Sequence, residues 1–149
     1  MKYLSLIFLI AVFFWACTEE ETCRESTNAY LQATFFKAGT STSFQVDTLT
    51  INGLGKDSFL YNKKLKVSAI SLPLNQQKNI STFVLKSNNI NDTVTVIHTN
   101  ADYFLSFACG CMITHKIDTV LTTKHFINSI IIKQYDINNQ DVKHLQIYF

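Results

Sequence analysis

Beyond residue 28, apolar and polar positions alternate with a period of two along most of the chain. Leu31, Ala33 and Phe35 share one face of AYLQATFF, and Ile70, Leu72 and Leu74 share one face of SAISLPL. The same alternation runs through Phe83 and Leu85, Val94 and Val96, and Tyr103, Leu105 and Phe107. It returns at Ile130 and Ile132 and again at Leu145, Ile147 and Phe149. In a pleated strand successive side chains point to opposite faces, so this period predicts half-buried strands rather than helices. KAGTST, NGLGKDS, LNQQKN, SNNIND, HTNAD and DINNQD separate the runs and read as turns, the last as the loop of a closing hairpin. Pro73 lacks an amide hydrogen and belongs at a strand end or a sheet edge. Ile51–Leu65 fits either a short strand pair or a loop. Short strands at regular spacing predict an all-β domain over residues 28–149, an antiparallel β-sandwich or a partly open barrel.

The first sixteen residues, MKYLSLIFLIAVFFWA, follow a different rule. Lys2 opens them with a positive charge and Leu4 to Ala16 carry none. A run of this length falls short of the roughly 20 residues a membrane-spanning helix needs, and it suits the core of a secretory signal peptide. The small Ala16 followed by Cys17 resembles the lipobox of bacterial lipoproteins, although Phe14 and Trp15 are bulkier than that pattern prefers. The resemblance implies cleavage after residue 16 and acylation, with palmitate among the chains, of the Cys17 thiol. An ordinary signal peptide and an uncleaved anchor are the alternatives. Glu19, Glu20 and Glu21 repel one another and stay hydrated, so residues 17–27 read as an extended acidic tether. In Bacteroidota lipoproteins such a cluster resembles a signal for surface display; a plain spacer accounts for it equally well.

Loss of Lys2 with the signal leaves 12 basic residues against 11 acidic ones, with no basic stripe, which argues against a nucleic-acid partner. One proline and four glycines leave no low-complexity linker. Cysteines stand at 17, 23, 109 and 111, and with Cys17 acylated three remain for an oxidising compartment. Cys109 and Cys111 lie on one face of a strand, about 6.5 Å apart along the rise, so bridging them to each other would distort the backbone. Cys23 is the better partner for either one.

The order of a lipobox cysteine, an acidic tether, Cys23, LQATFF, LTINGLGKDS, SLPLN at Ser71–Asn75, STFVLKSNNINDTVTV and FACG at Phe107–Gly110 resembles a Bacteroidota family of small lipoproteins of unknown function. The similarity spans nearly the whole mature chain. It implies a β-rich body with a role in the cell envelope, often encoded near a predicted outer-membrane barrel, and carries over no catalytic residue. It also favours Cys109, within its ACG, as the partner of Cys23, with Cys111 as the alternative partner and a departure from the family pattern.

Other chemistry is less well marked. Cys109, Cys111 and His115 share strand parity and His98 precedes them, but Cys-x-Cys-x3-His spreads its ligands too far for one zinc ion unless the strand bends at Gly110. No Cys-x-x-Cys and no Gly-x-Ser-x-Gly occurs. The histidines read as surface or hydrogen-bonded residues, and the aspartates as turn residues. NNIND and DINNQD offer oxygen ligands for calcium without the EF-hand pattern. Asp47-Thr48-Leu49, Asp92-Thr93-Val94 and Asp118-Thr119-Val120 resemble the Asp-Thr-apolar acceptor for O-glycosylation in Bacteroidota envelopes, with Thr48, Thr93 and Thr119 as the modified residues; strand-starting Asp-Thr pairs explain them as well. The expectation is therefore a lipid-anchored outer-membrane protein, facing the periplasm or the surface, without metal, cofactor or enzymatic activity. It would serve as an accessory or structural partner of an outer-membrane component. A glycan- or peptide-binding module, built on aromatics among Tyr61, Tyr103, Tyr135 and Tyr148, is the second expectation.

Overall fold

The computed structural model describes residues 22–149. Ten strands follow in chain order: β1 (Tyr30–Phe36), β2 (Val46–Gly53), β3 (Phe59–Val67), β4 (Ala69–Pro73), β5 (Ile80–Ser87), β6 (Ile90–Ser106), β7 (Gly110–Thr122), β8 (Ser129–Ile132), β9 (Asp136–Ile137) and β10 (Leu145–Tyr148). They form a four-stranded sheet in the order β4-β1-β10-β8 and a six-stranded sheet in the order β3-β2-β5-β6-β7-β9. All pairings are antiparallel except β1 with β10, which run parallel side by side in the small sheet. This is the expected all-β sandwich, with no barrel closure.

Most of the alternating residues read from the sequence form the core between the sheets, but Tyr103 and Phe107 are exposed, Phe107 because β6 ends at Ser106 and it falls in the turn. Leu31, Ala33, Phe35, Leu145 and Ile147 from the small sheet meet Leu49, Ile51, Leu85, Val94, Val96 and Ile117 from the large one, all buried. Phe149 closes one end by packing edge-on against Phe35 and stacking with Phe44 and Phe126 at 5.0 to 5.6 Å. Pro73 ends β4, an edge strand, where its missing donor costs no ladder bond. Asn88 and Asn89, with φ of 46° and 64°, make the two-residue β5–β6 turn, a geometry that asparagine tolerates better than most side chains.

Three turn and loop expectations are corrected or resolved. HTNAD is no turn: β6 runs through it, because His98 and Asn100 are held by inward polar partners. DINNQD does not simply join the last two strands. β8 and β10 do pair, but Asp136–Ile137 first crosses to the other sheet and pairs with β7. The ambiguous Ile51–Leu65 segment resolves as the β2–β3 hairpin, whose edge strand β3 carries Lys63 and Lys66 at positive φ. Kinks and lysines of this kind protect an exposed edge from pairing with other chains.

Candidate functional site

Two buried polar centres and one exposed tip stand out from this scaffold. The first centre joins β5, β6 and β7 to the loop after β4. The Asn100 side-chain amide nitrogen faces the carbonyls of Asn75, Gln76 and Lys78 at 3.0 to 3.2 Å, so it is the donor end. Its Oδ1 must then accept, and it does so from Nδ1 of His98 at 2.9 Å and Nδ1 of His115 at 2.7 Å. With the proton of His98 on Nδ1, its Nε2 is the acceptor for the Ser81 hydroxyl at 2.9 Å. Ser81 Oγ in turn accepts the Asn75 amide at 2.8 Å. The two imidazoles lie edge to face, 5.1 Å apart.

Burial lowers the pKa of both histidines. In His98 the Asn100 bond and Asp118 work the other way; in His115 the neighbouring His98 adds to burial and brings the value to about 4. Both rings are therefore neutral at pH 7. Ser81, His98 and Asn100 have the connectivity of a nucleophile, base and orienter. The hydroxyl is nevertheless engaged on both sides and His98 is fully buried. In this arrangement the chain of bonds clamps the 74–79 loop onto the sheet.

The second centre is Asp92, fully buried at the start of β6. Its carboxylate accepts from the Thr123 hydroxyl at 2.6 Å, the backbone amides of His125, Phe126 and Ile127 at 2.7 to 2.9 Å, and His125 Nδ1 at 3.0 Å. Burial alone would raise its pKa. The hydrogen bonds, that of Thr123 foremost, outweigh burial and lower the pKa to about 2. A single side chain thus supplies acceptors for the loop that carries the chain from β7 towards β8.

The exposed feature is the tip of the β6–β7 hairpin. Ser106 pairs with Gly110 across a three-residue turn, with Gly110 at φ 72° and the Cys109 amide on Ser106 Oγ at 3.1 Å. Phe107 is 97 % exposed, Tyr103 and Phe104 are about half exposed, and the two phenylalanine rings meet edge to face at 5.4 Å. Cys109 in this turn is disulfide-bonded to Cys23, with Cα atoms 4.7 Å apart. Below the tip, a cleft of about 640 Å³ runs along β6, β7 and the segment after β9, lined by Tyr103, Lys116, Asp118, Asp136, Asn138 and Gln140 among others. A second, of about 520 Å³, lies by Leu54, Lys56, Leu60, Lys78, Ile80 and Ser81.

The sequence-predicted residues separate accordingly. Cys17, the predicted signal and the three glutamates of the tether lie outside the described residues. The Cys23–Cys109 bond forms, and Cys111 is a free thiol, exposed to solvent. Cys109 is thereby withdrawn from any metal set, and among the described residues no cluster of three or more His, Cys, Asp or Glu side chains gathers. Thr119 is exposed on β7, whereas Thr48 and Thr93 are half-buried. Of the tyrosines, Tyr103 lines the larger cleft; the Tyr61 hydroxyl accepts the Ser71 amide and that of Tyr148 bonds to Gln146.

Sequence reasoning missed both centres, the one that joins Ser81 to Asn100 and the one at Asp92. Of the two expectations for the histidines, surface or hydrogen-bonded, His98, His115 and His144 meet the second as buried residues, while Asp92 is a strand residue serving a distant loop rather than a turn residue. The only hint lay in polar residues at inward positions of an otherwise apolar alternation.

No curated protein and no solved structure matches the chain. A family model does match, over residues 48–149, which take in all but the first two residues of β2 and the whole of β3 through β10. The chain therefore belongs to the family of unknown function DUF6452.

Proposed function

We propose that the protein is a lipid-anchored component of the outer membrane, fastened through Cys17, and a non-enzymatic accessory or structural partner of an outer-membrane protein. The observation that carries this reading is the Cys23–Cys109 disulfide, because such a bond persists in an oxidising compartment outside the cytosol. The apolar run ending in Ala16-Cys17 supplies the route there. Several acyl chains on one residue hold far more firmly than one, each buried CH₂ adding about 0.8 kcal/mol. The engaged Ser81–His98–Asn100 chain supports a scaffold rather than a catalyst. Labelled palmitate should appear on the protein and vanish in Cys17→Ser. Crosslinking in intact cells should recover one dominant protein partner, and a blank result would overturn the accessory role.

A second reading, a glycan-binding module, is favoured by the larger cleft. There the half-exposed ring of Tyr103 stands beside Asp118, Asp136 and the amides of Asn138 and Gln140. A ring face for stacking with carboxylates and amides for hydroxyl groups is suitable chemistry for a sugar. Tyr103→Ala should abolish retention on envelope polysaccharide if that reading holds, and unchanged retention would dismiss it. Thr119 has the solvent exposure that an O-linked sugar requires; sugar-sized mass increments lost in Thr119→Val would establish it.

A further inference from the structure

We infer that the β6–β7 hairpin tip is a second membrane contact, with Phe104, Phe107 and Tyr103 seated in the interfacial layer of the bilayer that holds the N-terminus. The inference rests on the lipid-anchor reading above and specifies how the domain sits on that membrane.

The first observation is the tip itself. Isolated exposed apolar residues are ordinary, but here three aromatics fall within five residues, and Phe107 stands almost wholly in water. The fold makes no use of the Phe107 side chain except its edge-to-face contact with Phe104.

The second observation fixes the occupant. Cys109 belongs to the same turn and is covalently joined to Cys23, six residues after Cys17. Six residues reach at most about 20 Å even when fully extended. Of all surfaces of the domain, the aromatic tip is thus the one chained to the acylated residue, whatever path the tether takes. Without the disulfide, the tether would lead only to the start of β1.

The third is chemical fit. Residues 102–111, DYFLSFACGC, contain no lysine or arginine, so attraction to anionic lipid has no part in the contact. Aromatic rings, Tyr with its polar end outward, favour the boundary between headgroups and acyl chains. In the turn Ser106 and Gly110 are paired and the Cys109 amide is bonded to Ser106, and the headgroup layer, unlike the hydrocarbon core, has water for the remaining backbone groups.

The test uses the full chain as Trp15→Phe/Phe107→Trp, which has one tryptophan, purified with its own anchor. It is reconstituted into phosphatidylcholine–phosphatidylethanolamine vesicles with and without brominated acyl chains. The expected result is a blue-shifted emission that loses roughly half its intensity to the brominated lipid, unchanged in about 1 M salt, where charge attraction is screened. Trp15→Phe/Leu121→Trp, placed at an exposed site remote from the turn, should stay unquenched. No quenching at residue 107, or equal quenching at both positions, overturns the inference. So does a photocrosslink from residue 107 to a protein in cells together with unquenched emission in vesicles. Intact mass of the same samples reads the anchor separately. Acyl mass on Cys17 without quenching sinks the tip contact alone, and absence of acyl mass sinks the anchor whatever the emission shows.

Discussion

Replacing Asp92 by Asn removes one charge and almost no volume from the interior, so its cost isolates what the carboxylate does for the β7–β8 loop. The amide has two placements. At the Oδ2 position its NH₂ would point at the amides of Phe126 and Ile127 and orphan both donors. At the Oδ1 position it meets His125 Nδ1, which can accept, the Thr123 hydroxyl, whose oxygen already takes the Thr93 amide at 2.8 Å, and the His125 backbone amide, which keeps only its longer 3.2 Å bond to Oδ2. The second placement costs less. It still turns charge-assisted hydrogen bonds, worth about 1.5–3 kcal/mol each, into neutral ones of about 1 kcal/mol, and it weakens the Thr123 bond. A loss of about 3 kcal/mol follows from this count. The ionisation gives a similar figure: a pKa of about 2 against an ordinary 3.8 corresponds to about 2.5 kcal/mol favouring the charged, folded form. Because the folded-state pKa is depressed, that stabilisation is complete above pH 3.8 and is lost as the pH falls towards 2. Urea unfolding followed by far-ultraviolet circular dichroism should show Asp92→Asn weaker by about 3 kcal/mol at pH 7. The gap to the parent should narrow by about 2 kcal/mol between pH 4 and pH 2. A gap below about 1 kcal/mol at pH 7, or one that does not narrow in acid, refutes the reasoning.

The remaining expectations use the same measurements. Reduction of the Cys23–Cys109 bond, which spans 86 residues, or Cys23→Ser should cost about 4–5 kcal/mol by chain entropy, read as a lower urea midpoint. Asn100→Ala leaves two imidazole donors and the carbonyls of the 74–79 loop unpaired; it should lose about 3 kcal/mol, with hydrogen exchange quickening first at Gln77 and Lys78. His98, His115 and His144 are all held neutral mainly by burial, with folded pKa values below 6.5, so their contribution is full above that value and is lost as the pH falls. For His115 the window runs from 6.5 to about 4, and a stability flat across it would contradict the buried network. Phe35→Ala, removing a fully buried ring that packs on Phe149, should cost about 3–5 kcal/mol, seen as a fall in thermal midpoint.

Alternation exposed the strands because burial on one face of a sheet forces period two, and Leu31-Ala33-Phe35 or Val94-Val96 have few other ways to be buried. The same logic failed at HTNAD, where turn-forming residue types sit inside the longest strand. Composition reports what a residue favours locally, whereas Asn100 is held by three carbonyls some 22 to 25 residues away in sequence. Asp92 is a similar case, since its partners lie 31 to 35 residues further on. Sheet order was equally hidden: nothing local to Ala33 or Leu145 says that the first and last strands run parallel side by side. The disulfide was legible only in part: compartment and strand parity left Cys109 and Cys111 open as partners of Cys23, and the family resemblance alone favoured Cys109, the one that pairs.

Position of that disulfide matters as much as its presence. On our reading, any pull from the membrane enters the domain along the tether. If the tether ended only at β1, load would act on the first residues of a strand held by four register pairs to β10 and five to β4. Through Cys109 it enters the turn of the β6–β7 hairpin instead, where twelve register pairs join the two longest strands of the fold. That ladder is continuous with β5 and, through Asp92 and Asn100, with the loops that follow β7 and β4. On that reading the bond couples the anchored end to the most extensively paired part of the sandwich, and it would set the aromatic turn, rather than the start of β1, towards the bilayer. A chain lacking it would keep the same core and lose its fixed orientation on the membrane. Tip quenching should therefore fall in Cys23→Ser even under conditions where the domain remains folded.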